Sequence, residues 1–507
     1  MKRTFSILLC LALLAGVLPL RAQIRGFRQT ELRQWEFSQT GASWDSVAVP
    51  HTMPSQTGTY RCTFTVRNPK APAYLFFERA AQTVTVKVNG DQVAYHQGGY
   101  TGFPVRITDA IKDGENLVEV ECDASPDEEM APVAAPFPLH GGLTGAIWLA
   151  QMEDVYFAPE VFGMYRVRCE TPEVTDKKVV TNIKARIVND SGRDVTVKIR
   201  MQMLDEEGRL AYQADRKVDM VSYGEYDFEH DFVLAGIHRW DGLRDPFLYT
   251  IRMELFQDRR ILDIAETKIG YRSLELDRER GLLLNGRPCP LHGSILEGGE
   301  ENGSEASVRA ALAAAVARGD NFVMMPYFPH GDFVFRQADS LGLAVLPQTP
   351  WLNACGSRAR QTYFNNIHTQ LEEMVNNLYN HPSVLLWGMW NGVDGRTDTA
   401  DLQGAFDAEK AVEQTRRLYE LGKELDPDRF FGVVDRSALR PEGYAALKTD
   451  FVVEAYDALP QGELSKATAA LRATAHVPVG AWITRAVEAD RLTSDARGLL
   501  LLAAGAE

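Results

Sequence analysis

The hydrophobic period of this chain changes once, near residue 281. Before that point apolar residues recur at every second position. "TVTVKVNGDQVAYH" sets Val84, Val86 and Val88 on one face and then turns at Asn89-Gly90, the strongest short hairpin signal. After that point short apolar runs alternate with helical patterns. Ser304 caps an Ala-rich helix that Gly319 ends. Over residues 360–379, Phe364, Ile367, Leu371, Met374 and Leu378 share one helical face. A change of period from 2 to 3.6 predicts β units followed by an α/β unit.

The β half has two rhythms. Residues 23–155 carry short strands and frequent turns, which predicts a sandwich or jelly roll, the jelly roll being the leading expectation. Residues 156–274 carry longer strands, as in "KVVTNIKARIVNDSGRDVTVKIRMQMLD", which predicts an immunoglobulin-like sandwich. Residues 275–507 alternate runs such as "NFVMMPY", "SVLLWGMW" and "VPVGAWI" with helices, including helices near 401–425, 463–473 and 485–496. That alternation predicts a TIM (β/α)8 barrel, with a doubly wound sheet as the alternative.

Charge and composition narrow the function. The net charge of −15 argues against nucleic acid as a partner. Residues 1–22 combine Lys2-Arg3 with an apolar run and the small Ala22, the pattern of a signal peptide cut before Gln23. The expectation is a secreted or periplasmic protein. No later segment is apolar enough to span a membrane. Cys62, Cys122, Cys169, Cys289 and Cys355 are widely spaced with no CxxC, and His51, His140 and His292 are scattered, so no metal and no cofactor is expected.

An ordered set of motifs covers nearly the whole chain. "WDSVAVPHTMP", "GTYRCTFTV", "PLHGGLTGAIWLAQ", "WDGLRDPFLYTIRMEL" and "IGYRSLELDRERGLLLNGRPCPLHG" follow one another, and "NHPSVLLW" comes later. In this order they resemble glycoside hydrolase family 2, the family of β-galactosidases, β-glucuronidases and β-mannosidases. The resemblance implies a β-linked glycan as partner and two catalytic glutamates. Retaining glycosidases need two carboxyls about 5 Å apart. Matched to the family's "W..(G)NE" strand, Trp387 and Asn391 are present but the acid/base position is Gly392. The nucleophile position falls at or near Ile483, after Pro478. Met324 and Tyr327 stand where the family has an arginine and a histidine, and Gln348 where an acid is common.

The leading expectation is therefore a family 2-like protein that has lost standard retaining hydrolysis and acts in glycan binding or as a scaffold. Asn391, Trp390, Tyr456, Trp482 and Tyr327 are the candidate substrate contacts. One alternative is an active β-glycosidase that uses Asp394 and Glu454 instead. Another is an interaction protein whose barrel mouth is blocked by Met324, Tyr327, Phe328 and Trp482. The sequence leaves the oligomeric state open.

Overall fold

The computed structural model describes residues 28–133, 139–277, 280–296, 305–325, 327–352, 355–391, 407–435, 448–457, 479–484 and 497–503. The proposed signal peptide, Gly392 and Asp394 lie outside the described residues, as do the expected helices near 463–473 and 485–496.

Alternation builds the first unit. A six-stranded sheet runs in the order Asp45–Ala48, Gln34–Ser38, Thr57–Val66, Gly114–Asp123, Thr83–Val88, Asp91–Gln97. A four-stranded sheet, Arg28–Glu31, Ile147–Gln151, Ala73–Phe77, Phe103–Arg106, shares its core. Val84, Val86 and Val88 are buried there with Val118, Val120, Leu75 and Phe77. Val88 pairs with Asp91 across Asn89 and Gly90, whose φ angles are 53° and 94°. Two positive φ values make the tight turn that Asn-Gly accepts.

The second unit is also two sheets over one core. In Val195–Leu204 the buried side chains are Val195, Val197, Ile199, Met201 and Met203, a strict period of two. The turn at Asn189–Gly192 does not join a pair. Val179–Asn189 pairs with Glu225–Leu234, while Val195–Leu204 pairs with Leu210–Met220 and Tyr249–Gln257. The turn carries the chain from one sheet to the other.

The third unit is one eight-stranded sheet. Its strands are β1 (Leu291–Ile295), β2 (Phe322–Met325), β3 (Ala344–Pro347), β4 (Leu386–Asn391), β5 (Phe430–Asp435), β6 (Phe451–Asp457), β7 (Val479–Thr484) and β8 (Arg497–Ala503). The sheet order is β3-β2-β1-β8-β7-β6-β5-β4. Parallel bridges Val345–Val384, Gln348–Gly388 and Leu352–Asn391 bring the two edges together. That is not the open edge of a doubly wound sheet. Seven strands are parallel, whereas β8 is antiparallel to both β7 and β1. Eight parallel strands were expected; an antiparallel neighbour needs no crossover helix, so a short link suffices.

Helices α1 (Glu305–Ala317), α2 (Asp332–Leu341), α3 (Gln361–Leu378) and α4 (Ala408–Leu425) flank this sheet. Phe364, Ile367, Leu371, Met374 and Leu378 are all buried on α3, as their spacing requires. Strand side chains alternate between two cores. Phe322, Met324, Leu346, Leu386 and Val434 form one, inside the sheet. Val323, Met325, Val345, Trp387, Met389 and Val433 pack outward with the helices.

Polar clamps fix the units to one another. Asn380 accepts from the Cys169 N–H at 3.0 Å and donates to the Val167 carbonyl at 2.8 Å. Asn377 donates to the Gly102 carbonyl, and Gln370 to the Ala131 carbonyl, both at 2.8 Å. His381, next to Asn380, touches Asp339 at 2.6 Å and Asp332 at 3.1 Å. The "NHP" stretch therefore holds units together at the start of β4, at the opposite end of the strand from Asn391.

Candidate functional site

In parallel sheets of this kind ligands bind at the C-terminal ends of the strands. At the ends of β3 and β4 the structure brings together Gln348, Trp390 and Asn391. Gln348 bridges Gly388 and is fully buried. A Cβ on Gly388 would lie well inside contact distance of the Gln348 Cγ, so the glycine makes room for the glutamine chain. Neither amide atom of Gln348 has a hydrogen-bond partner.

Asn391 is 1% exposed, and its Oδ1 is also unpartnered. Its backbone N–H donates to the Trp351 carbonyl at 3.0 Å. Between Gly388 and Asn391 the register with β5 shifts, which sets Asn391 opposite Val434 of the inner core. Such a bulge re-aims a side chain at a strand end. Trp390 goes the other way. It is 2% exposed and packs in the helix-side core, its ring 6.0 Å from Trp351, with its Nε1 unpartnered. It lies behind the strand and not at an open mouth.

Tyr327 follows β2 with φ at 78°, a conformation that a bulky residue rarely adopts. It is 8% exposed and clusters with Phe328, Leu352 and Tyr100. Tyr100 comes from the first unit and stacks on Phe328 with ring centroids 4.1 Å apart. Gln82 donates to the Tyr100 hydroxyl at 3.0 Å. Sequence reasoning missed Tyr100. Its signal was Gly98-Gly99: Gly98 has φ at 124°, and a Cβ on Gly99 would lie 2.7 Å from that of Ala81. Met324 is buried in the inner core beside Leu346.

His330 follows Phe328 and packs 5.7 Å from its ring. It donates to the Leu296 carbonyl at 3.3 Å. Burial, and secondarily the Arg79 cation, lower its pKa to about 4, so it is neutral near pH 7. Among the described residues no group of three His, Cys, Asp or Glu side chains is placed to hold a metal.

The other candidates are placed by backbone only. Glu454 pairs with Asp435 and Ala481, and Tyr456 with Ile483; Trp482 pairs with Ala455. The sequence reading passed over two carboxyl residues at strand ends: Asp435 closes β5 and Asp457 closes β6.

The comparisons with known proteins agree on one family. The model of "Glycosyl hydrolases family 2" matches residues 166–272, within the second unit. A β-glucuronidase of Bacteroides fragilis is 25% identical over 375 residues, 70% of this chain and 51% of the relative. A β-galactosidase of Bacteroides ovatus is 24% identical over 410 residues, 74% of this chain and 47% of the relative.

Residues 166–272 of this chain are a glycosyl hydrolase family 2 domain.

The crystal structure of Bacteroides uniformis β-glucuronidase superposes on this chain with a TM-score of 0.79 at 21% identity, covering 87% of this chain and 57% of the other. That likeness concerns the fold. The chain spans about half the length of the curated relatives it matches. In this chain the residue after Asn391 is Gly392, so the strand that ends in the unpartnered amide oxygen is not directly followed by a carboxyl.

Proposed function

We propose that this family 2 protein binds a β-linked glycan at the strand ends of its third unit and does not perform standard retaining hydrolysis. The observation that carries the reading is the buried, unpartnered polar set of Gln348 and Asn391. Buried amides without partners cost stability and are retained where a ligand completes them. Gly392 and Ile483 supply no proton donor and no nucleophile. The reading includes a jelly roll over 23–155, an immunoglobulin-like sandwich over 156–274 and a TIM-type barrel over 275–507, its eighth strand reversed. It also includes export through residues 1–22, checked by finding Gln23 at the N-terminus of the exported protein. The test of function is twofold. Purified protein should leave nitrophenyl β-galactoside and β-glucuronide intact yet bind a glycan in calorimetry. Turnover at ordinary glycosidase rates would sink the proposal.

A second reading has its own observation. Tyr100, Tyr327, Phe328 and Leu352 are all buried over the strand ends, which suits an interaction protein with a filled mouth. A glycan array without binding above background would favour it. If turnover is found instead, Asp394→Asn, Glu454→Gln, Asp435→Asn and Asp457→Asn, made singly, separate the carboxyls that carry it.

A further inference from the structure

We propose that Gln348 selects a neutral, hydroxyl-rich sugar over a uronate at this site; this rests on the glycan-binding reading above. Three buried side-chain amide atoms at the ends of β3 and β4 lack partners: Gln348 Oε1, Gln348 Nε2 and Asn391 Oδ1. All three belong to uncharged amides, two accepting and one donating. A sugar hydroxyl donates and accepts, so it satisfies either end of an amide. A carboxylate only accepts. Where the C6 group of the sugar faces these amides, the carboxylate of a uronate leaves the Gln348 and Asn391 oxygens unpaired and brings a charge into a desolvated place, both of which cost binding.

Beside the Phe328 ring, His330 and its neighbour Arg79 offer no free charge. His330 is neutral near pH 7. Arg79 donates to the Thr144 carbonyl at 3.2 Å and lies near the Glu78 carboxyl, whose pKa burial raises. The amide is also built in, because its chain occupies the space that only a glycine at 388 leaves. A site built to hydrogen-bond hydroxyls rejects ligands that cannot complete it far more strongly than an apolar pocket does.

The experiment is calorimetric titration of the full chain at pH 7 with methyl β-D-galactopyranoside, methyl β-D-glucopyranoside and methyl β-D-glucuronide. At least one neutral glycoside is expected to bind tenfold or more tightly than the glucuronide. Gln348→Met is expected to weaken that binding tenfold or more while leaving Tm unchanged or raised, because it removes a buried unpartnered amide. The proposal is overturned if the glucuronide binds equally or better. It is overturned if Gln348→Met leaves affinity unchanged, as an internal water on the amide would predict. It is overturned if that variant lowers Tm by several degrees, which would show the amide bonded within the protein. Binding of none of the three, with the wild type folded, removes the glycan-binding reading itself.

Discussion

His330 and Gln348 are both polar side chains that burial has made expensive, and the expense shows in different measurements. For His330 it shows in pH. Its folded pKa of about 4 lies below the unfolded value of about 6.5. Between those values the unfolded chain binds the proton and the folded chain does not, so stability falls as pH drops through 6.5 toward 4. The loss attributable to this group is roughly 3–4 kcal/mol at most, since one unit of pKa difference is about 1.4 kcal/mol. Urea unfolding at pH 7 and pH 4.5 should show it, and His330→Gln should flatten that part of the profile. For Gln348 the expense shows in composition: a buried amide with no partner is a residue that stability alone would replace. The identity of Gln348 was visible in the sequence, as a departure from a family acid. Its orphaned state was not, because that depends on which atoms the neighbouring segments fail to supply.

Strands β3 and β4 meet through a size match that neither shows alone. Gly388 accepts the Gln348 chain against its backbone. Gly388→Ala should cost about 1–3 kcal/mol by overpacking. In a Gln348→Ala background the same change should cost clearly less, and a double-mutant cycle in denaturant measures the difference. Additive effects would show that the two do not share the space. At this scale the sequence was legible wherever one period sufficed. The α3 face and the Asn89-Gly90 hairpin are both local patterns, and both formed as spaced. The direction of β8 was not legible, because an apolar run such as "GLLLLAAG" reads the same in either orientation. The reach of Tyr100 onto Phe328 was hidden for a related reason. The long stretch between them holds no signal of it, and the two glycines before Tyr100 say only that the backbone turns closely there.

Short polar clamps cross between the three units. Asn380 spans from the start of β4 to the second unit with both ends of its amide. Asn380→Ala leaves the Cys169 N–H and the Val167 carbonyl buried without it, a loss of roughly 2–4 kcal/mol. Limited proteolysis should then release a fragment cut between the second and third units earlier than in the wild type; an unchanged digestion pattern and midpoint would show that the clamp is dispensable. The division into β units and an α/β unit was readable from the change of period near residue 281. Which residues clamp the units was readable only in part. "NHPS" stood out as a motif, but a motif does not say what it touches.

The reversed eighth strand has a consequence for handling the protein. Arg497 pairs with Ser294 near the end of β1, and Ala503 pairs with Val479 at the beginning of β7. The polypeptide therefore leaves the sheet on the side opposite Gln348 and Asn391. A tether attached beyond Ala503 holds the sheet by the far end, with the Gln348 and Asn391 end turned away from it.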